Sequence, residues 1–425
     1  VRIAQVAPLA EAVPPLLYGG TERVVSYLTE ALVALGHDVT LFASAESETE
    51  ATLVPAAPRA LRLAPGAHDP VAPHVNLVQT VLRQAAAFDV VHFHIDHVHL
   101  PAFAAAGVPY LTTMHGRLDL PELPALFQAF PDAPLVSISD AQRRPLPGAN
   151  FVGTVYHGLP ADLLRPSAQH EGYLAFLGRV CPEKGVDKAI RIAAAAGMPL
   201  RIAAKVDKAD EAYFAEVVRP MLGAPGGAEF VGEIGQAEMG AFLGGAAALL
   251  CPIDWPEPFG LVLIEATACG TPAVAFDRGS VPEVVEDGVA GFVVRGEAEA
   301  VAAVGRLPSL DRRRVREAFD RRFTSARMAA DYVRLYERLV QADTATPVRE
   351  ATDRFASAAP IRTNRAHGRD LTGVASTSPS RSTDTSAGLS TTEWFPEQAQ
   401  ADPASGAAGK AMAEGSTRGR APRAP

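Results

Sequence analysis

Cysteine is scarce in this chain. Cys181, Cys251 and Cys269 are the only three in 425 residues, and none forms a CxxC pair. An odd number without paired spacing argues against a disulfide framework and against a zinc site, and reduced, intracellular thiols are the expectation. No apolar run approaches the roughly 18–20 residues that span a bilayer. A strand-like run, RIAQVAP, begins at Arg2, and no signal peptide is expected ahead of it. These features together predict a cytoplasmic protein without an integral membrane segment, with peripheral membrane contact left open. Basic excess is also missing. The formal net charge is -9, so no general attraction to nucleic acid or anionic lipid follows. Neither GxGxxG nor GxxxxGK[ST] occurs anywhere, which weakens a nicotinamide dehydrogenase or a P-loop nucleotidase.

What is present is apolar text in short pieces. Hydrophobic residues make up 48% of the chain, enough for sizeable cores, and the length leaves room for two domains. Two halves share one grammar, in which β-branched runs alternate with helical stretches, and this predicts parallel sheets built from βαβ units. The first half offers strands at Ile3–Val6, Val39–Ala43, Val90–Phe93, Tyr110–Thr113, Leu135–Ile138 and Phe151–Val155. The second offers Tyr173–Leu177, Leu200–Ala204, Glu229–Val231, Ala248–Cys251, Ala273–Phe276 and Gly291–Val293. A helix over Thr21–Leu35 places Val24, Val25, Leu28, Leu32 and Leu35 on one face, with Gly36 as its stop. The predicted boundaries are a first domain over 1–160, an overlapping linker over His157–Glu171 with Pro160 and Pro166, a second domain over 172–323 and a closing helix over 324–341. From 342 to 425 Ser, Thr, Ala, Pro, Gly and Arg dominate, and such text cannot bury enough surface to offset its ordering entropy. A disordered, largely inert tail is expected there, with Trp394 and Phe395 as its one conceivable docking spot.

The richest stretch is DWPEPFGLVLIEATACGTPAVAF, from Asp254 to Phe276. A strand ends at Cys251, a proline-rich loop follows, and a helix starts near Phe259–Gly260. That puts a helix N-terminus at the carboxyl edge of a parallel sheet, where anions bind in open α/β folds. Glu257 lies just before the helix and Glu265 inside it, so the two carboxylates meet different levels of one ligand. In FLGRVCPEKGVDKAI a strand ends at Gly178, and Arg179 and Lys184 follow in a loop. A forked guanidinium and a point-charge ammonium suit a pyrophosphate. In PPLLYGGTERVV, Gly19 and Gly20 let backbone approach a phosphate or sugar directly before the first helix. In LTTMHGRLD, His115 sits at another carboxyl edge, able to meet a sugar hydroxyl. Each of the last three, alone, would read equally as an ordinary turn or a satisfied histidine.

The cluster VHFHIDHVHL holds His92, His94, His97 and His99, which invites a metal reading. No HExxH or carboxylate–histidine ligand set accompanies it, so no metal is expected. The expectation is that some of these histidines line a cleft and that Asp96 or His97 faces an acceptor. The basic run DRRRVREAFDRRF, Asp311–Phe323, is expected to be a solvated helix face.

Taken in order, these stretches resemble the family 4 retaining glycosyltransferases of bacteria, over roughly Arg2 to Val340. The pair Glu257 and Glu265 within EPFGLVLIEATACGTPAV is the most specific part, followed by GRVCPEKG and by the opening APLAEAVPPLLYGGTERVVSYLTEALVALGHDVTLFA. The resemblance implies the GT-B architecture, two Rossmann-like α/β domains whose parallel sheets face a central cleft, with the last helix crossing back to the first domain. It implies that Arg179 and Lys184 hold a donor's diphosphate and that the amides of Phe259, Gly260 and Leu261 face phosphate and sugar. It gives Glu257 the sugar hydroxyls, Glu265 the ribose, and backbone around Glu233 the base. Gly19 and Gly20 would approach the donor from the first domain, and His115 would place the sugar or ease its developing charge. Retaining transfer from a nucleoside-diphosphate sugar follows, with Glu257, His115, Lys184 and Arg179 nearest the chemistry and neither cofactor nor metal required. The acceptor, whether glycan, lipid-linked or small molecule, is not named by the text. A GT-B epimerase or a non-catalytic sugar-nucleotide-binding protein is the alternative. IDWPEP departs from the family's usual bulky or Ser-rich text, so Trp255 and Pro256 can shape the pocket differently.

Overall fold

Short apolar runs become parallel strands here because most are joined to the next by a helix or long crossover, which covers the sheet on both faces. We describe the chain from a computed structural model, for residues 1–16, 19–64, 69–223 and 227–345. The first sheet contains β1 (Arg2–Val6), β2 (Asp38–Ser44), β3 (Thr52–Ala57), β4 (Val90–Phe93), β5 (Tyr110–Thr113), β6 (Leu135–Ser137) and β7 (Phe151–Thr154), in the spatial order β3-β2-β1-β4-β5-β6-β7. The second contains β8 (Tyr173–Arg179), β9 (Leu200–Lys205), β10 (Ala228–Gly232), β11 (Ala246–Cys251), β12 (Ala273–Phe276) and β13 (Gly291–Val294), in the order β10-β9-β8-β11-β12-β13. All pairings between these strands are parallel. The two-sheet α/β architecture matches the expectation.

One strand was not expected. β3, with the sequence TLVPAA, carries Pro55 in its interior, a residue that removes a ladder donor and argues against a strand. It is tolerated because β3 is an edge strand that pairs only with β2.

The helix Ser325–Ala345 packs on the first sheet. Met328, Tyr332 and Tyr336 are buried in one core with Ile3, Leu28, Val90 and Leu111. Ala342–Ala345 continue this helix, so the predicted tail boundary at 342 is four residues too early. The remainder of that segment, with Trp394 and Phe395, lies outside the described residues. No helix among the described residues is long and apolar enough to cross a membrane.

The chain passes between the sheets twice, and the two passages lie side by side. Leu159 N–H donates to Phe323 O at 2.8 Å, and Ser325 N–H donates to Leu159 O at 2.7 Å. A Cβ on Gly158 would fall 2.3 Å from Thr324 O, so only glycine fits this crossing. Arginines fix it further. Arg327 donates to Tyr156 O at 2.7 Å and His157 O at 3.0 Å. Arg312 donates to Ser167 O, Gly244 O, Ala246 O and Thr271 Oγ1, and Arg316 donates to Ala161 O, Leu164 O and Ala268 O. The run Asp311–Phe323 is therefore not a uniformly solvated face. Two of its guanidiniums turn inward because their forked donors satisfy carbonyls at strand and helix ends.

Candidate functional site

The strand orders decide where a site can form. Sequence direction reverses between β1 and β4 in the first sheet and between β8 and β11 in the second. At such a point neighbouring loops leave in opposite directions and open a crevice at the carboxyl edge. Gly19 and Gly20 lie beyond β1, His94 follows β4 and His115 lies just beyond β5. On the other side Arg179 ends β8, Lys184 closes the short turn after it, and Asp254–Gly260 follows β11.

The β8 and β11 loops are pressed together. Gly185 has φ 72°, and a Cβ there would fall 2.4 Å from Pro252 O. Lys184 Nζ then reaches Glu257 Oε2 at 2.6 Å. The Trp255 indole N–H donates to the same oxygen at 2.9 Å, and the ammonium lies 5.0 Å from the Trp255 ring centroid. Glu257 is only 9% exposed, and its backbone carbonyl accepts from Ser280 N–H at 2.9 Å, so the residue's main chain is anchored as well as its carboxylate. We expect Gly185→Ala to cost about 1–3 kcal/mol by thermal denaturation, because an L side chain meets both the left-handed backbone and the Pro252 carbonyl. The same change should separate Lys184 from Glu257.

Gly260, at φ 83°, caps the helix Leu261–Ala268; Leu263 N–H turns back to Gly260 O at 3.0 Å, and the helix N-terminus opens on the loop before it. Gly20 of the first domain reaches this helix start, since a Cβ there would lie 3.7 Å from Leu261 Cδ1, whereas the nearest atoms to Gly19 belong to Pro15 and Glu22. Ser139 Oγ donates to Pro258 O at 2.7 Å, and Glu283 accepts from Asp140 N–H at 2.8 Å and Ala141 N–H at 2.7 Å. These contacts dock the sheets' facing edges directly over the 254–260 loop.

Arg179 lies 3.9 Å from Asp207 and 3.8 Å from Asp210. Burial works against Glu183, yet hydrogen bonds from its own backbone and from Cys181, with Arg179 and Arg117 nearby, bring its carboxyl below the usual range. Arg179 thus faces the same turn as Arg117 of the first domain. Glu265 is 3% exposed and pairs with Arg23 of the first domain at 3.0 Å. Burial raises its carboxyl, against the pull of Arg23. Glu233 stays exposed in the loop after β10.

His115 is half-buried and shares a hydrogen bond with His94, Nε2 to Nδ1, at 2.8 Å. It stacks on His157 with centroids 5.3 Å apart, and His157 meets the Phe259 ring edge-on at 4.8 Å. His115 is thereby two rings from the helix start, and burial lowers its pKa to about 3. Asp96 takes φ 52° and its carboxyl is pushed up to about 6 by burial, while burial lowers His97.

The expectation that some of the clustered histidines line a cleft does not extend to three of them. His92, His94 and His99 are buried, His92 because β4 is a central strand covered on both faces and the other two in the segment just beyond it. His92 bonds Tyr336 and Thr113, and His99 bonds Thr112 and stacks on Phe93. Among the described residues no three His, Cys, Asp or Glu side chains group to hold a metal ion. Cys181 is buried and its thiol is raised by burial, which leaves it a poor nucleophile.

Sequence reasoning missed Arg23, Arg117, Trp255 as a hydrogen-bond donor, and His157. Arg23 stood in the quoted GGTER run, where attention went to glycine and the apolar face. His157 sat in the segment read as linker.

Comparison with known proteins now bears on this geometry. The family described as Glycosyl transferases group 1 matches residues 165–319, and Glycosyltransferase Family 4 matches residues 18–149. Between them they cover more than half of the chain and both sheets. The chain belongs to the GT-B glycosyltransferases. It is similar to D-inositol 3-phosphate glycosyltransferase of Streptomyces griseus, 34% identical over 173 residues, which cover 35% of this chain and 33% of that protein. That match therefore spans about a third of the relative's length. Glycogen synthase of Mycobacterium tuberculosis is 28% identical over 366 residues, covering 72% of this chain and 87% of that protein. The solved structure of AviGT4, a glycosyltransferase involved in avilamycin A biosynthesis, superposes with a TM-score of 0.62 at 27% identity, covering 80% of this chain and 98% of that one. In this GT-B chain the Lys184–Glu257 pair lies at the carboxyl edge of the second sheet, beside the loop whose Pro258 carbonyl accepts from Ser139 of the first domain.

Proposed function

We propose that this chain transfers a sugar from a nucleoside-diphosphate sugar to an acceptor hydroxyl with retention of anomeric configuration. The observation that carries the reading is the Lys184–Glu257 pair at 2.6 Å, set beside a helix N-terminus at the β8/β11 crevice and faced by the first domain. A diphosphate entering this crevice meets Lys184, Arg179 and the Phe259–Leu261 amides, which offset the charge that builds as the glycosidic bond breaks. Lys184 then turns from Glu257 to phosphate, and Glu257 accepts the sugar's hydroxyls. Glu265 accepts the ribose hydroxyls, which compete with Arg23 for it. Backbone near Glu233 meets the base. Gly19 and Gly20 close over the phosphates. The acceptor oxygen attacks the anomeric carbon from the face the diphosphate leaves, its proton passes to a phosphate oxygen, and the nucleoside diphosphate departs. Asp96 and His97 stand on the acceptor wall. No cofactor or metal takes part in this scheme.

The test is incubation with UDP-, GDP-, ADP-, CDP- and dTDP-sugars, with proton NMR of the released sugar. Slow hydrolysis of one donor, with the donor's anomeric configuration in the first product, is expected. Turnover of none, or inverted product, would refute the proposal. Glu265→Gln should weaken the preferred nucleoside diphosphate by roughly 10- to 100-fold in calorimetry, since a charge-assisted ribose contact becomes a neutral one.

A further inference from the structure

A line of buried hydrogen bonds crosses the first domain from the last helix to His115. Tyr336 Oη accepts from Gln5 Nε2 at 3.0 Å and lies 2.8 Å from His92 Nδ1. His92 Nε2 lies 2.7 Å from Thr113 Oγ1, which lies 2.8 Å from Tyr332 Oη. On the other side Gln5 Oε1 faces His94 Nε2 at 2.8 Å, and His94 Nδ1 faces His115 Nε2 at 2.8 Å. The far nitrogen of His115, Nδ1, is buried and has no hydrogen-bond partner among the described residues.

Donor and acceptor roles propagate along this line. Gln5 Oε1 only accepts, so His94 Nε2 carries the hydrogen. Burial keeps these imidazoles neutral, with His92 and His94 held well below their ordinary value. A neutral His94 protonated at Nε2 has a lone pair at Nδ1, so His115 Nε2 must donate to it. His115, also neutral, is then left with a lone pair at Nδ1. The reverse polarity would bury an N–H with nothing to meet, which folded proteins tolerate less well than an under-used acceptor.

We propose that Gln5 and His94 are positioning residues that hold His115 in its Nε2–H tautomer, so that Nδ1 accepts a hydrogen bond from a hydroxyl of the donor sugar. This rests on the reading of the cleft as a sugar-nucleotide site. His115 then acts as a neutral acceptor that orients the sugar rather than as a cation. The line also ties that orientation to the crossing helix, because Tyr336 fixes the Gln5 amide.

Long-range proton–nitrogen correlation spectra of the histidine-labelled, ligand-free protein test the tautomer directly. His115 is expected protonated at Nε2 and bare at Nδ1. A spectrum showing Nδ1–H or an imidazolium would overturn the proposal, whatever the enzyme does. Gln5→Glu supplies the functional arm. Its carboxylate favours a doubly protonated His94, whose Nδ1–H forces His115 to the opposite tautomer. Affinity for the nucleotide sugar should fall roughly tenfold while that for the bare nucleoside diphosphate is unchanged. Equal loss for both ligands, or no loss despite an inverted tautomer, would overturn it. If the variant does not fold, the wild-type spectrum together with His94→Leu decides. That variant removes the acceptor, should release the His115 tautomer and should lower only sugar-dependent affinity. Failure of the wild type to bind any nucleoside diphosphate would instead strike the sugar-nucleotide reading.

Discussion

On the proposed function, Lys184→Ala is expected to lower kcat/KM for the preferred nucleotide sugar by roughly 100- to 1,000-fold, with a thermal midpoint close to wild type. In the proposed scheme the loss follows from deleting a preorganised cation aimed at charge that develops on the leaving diphosphate. The fold tolerates the change for a local reason. Glu257 keeps the Trp255 indole donor and its Ser280 backbone anchor after the ammonium is gone. Lys184 is itself a quarter exposed, so its removal opens no sealed cavity. Steady-state kinetics on the preferred donor, paired with a melting curve, checks both halves. Glu257→Gln separates the roles further. It should reduce turnover while retaining nucleoside diphosphate affinity, because the sugar and not the phosphate loses its partner.

Acid should unfold this protein steeply. His92, His94 and His157 are held well below their ordinary pKa, and His99 and His115 at about 3, in each case chiefly by burial. Such a group takes up its proton only on unfolding. Its contribution is intact above the unfolded value near 6.5 and is lost as pH falls toward the folded value, at about 1.4 kcal/mol per pH unit. Three buried carboxyls act in the opposite sense. Asp96 at about 6, with Glu11 and Glu265 also raised by burial, binds protons in the folded state as pH falls. His74 and His97 are also lowered by burial, so the histidines outnumber the carboxyls and a net loss of stability is expected as pH falls from roughly 6 to 4.5. Melting temperatures across that range should drop sharply. A flat or rising profile would show that the histidines are charged in the folded state.

Much of this architecture was legible because its signals are local. Runs such as Val90–Phe93 and Ala273–Phe276 read as strands from composition alone, and the loops after β8 and β11 announced themselves through glycine, proline and charge. Once alternating strands and helices imply a parallel sheet, loop residues at strand ends share an edge, and this is why Lys184 and Glu257 meet across 73 positions. What stayed hidden depends on distant partners. Nothing near Glu265 announces Arg23, 242 positions away. The inward turn of Arg312 and Arg316 follows from carbonyls contributed by the linker and the second sheet. The histidines on and just after β4 look polar and functional in text, yet His92, His94 and His99 are buried, so their nitrogens bond internal hydroxyls, an amide and another imidazole. Pro55 hid β3 because its cost vanishes only at a sheet edge, which local pattern does not reveal.

Isothermal titration of UDP, GDP, ADP, CDP and dTDP into the wild-type chain and into Arg179→Ala and Lys184→Ala reads the central claim most directly. One diphosphate should bind the wild type at a single site, and each substitution should weaken it by at least roughly tenfold. Wild-type affinity in both variants, or no binding of any of the five to the native chain, would contradict a diphosphate held between the two sheets.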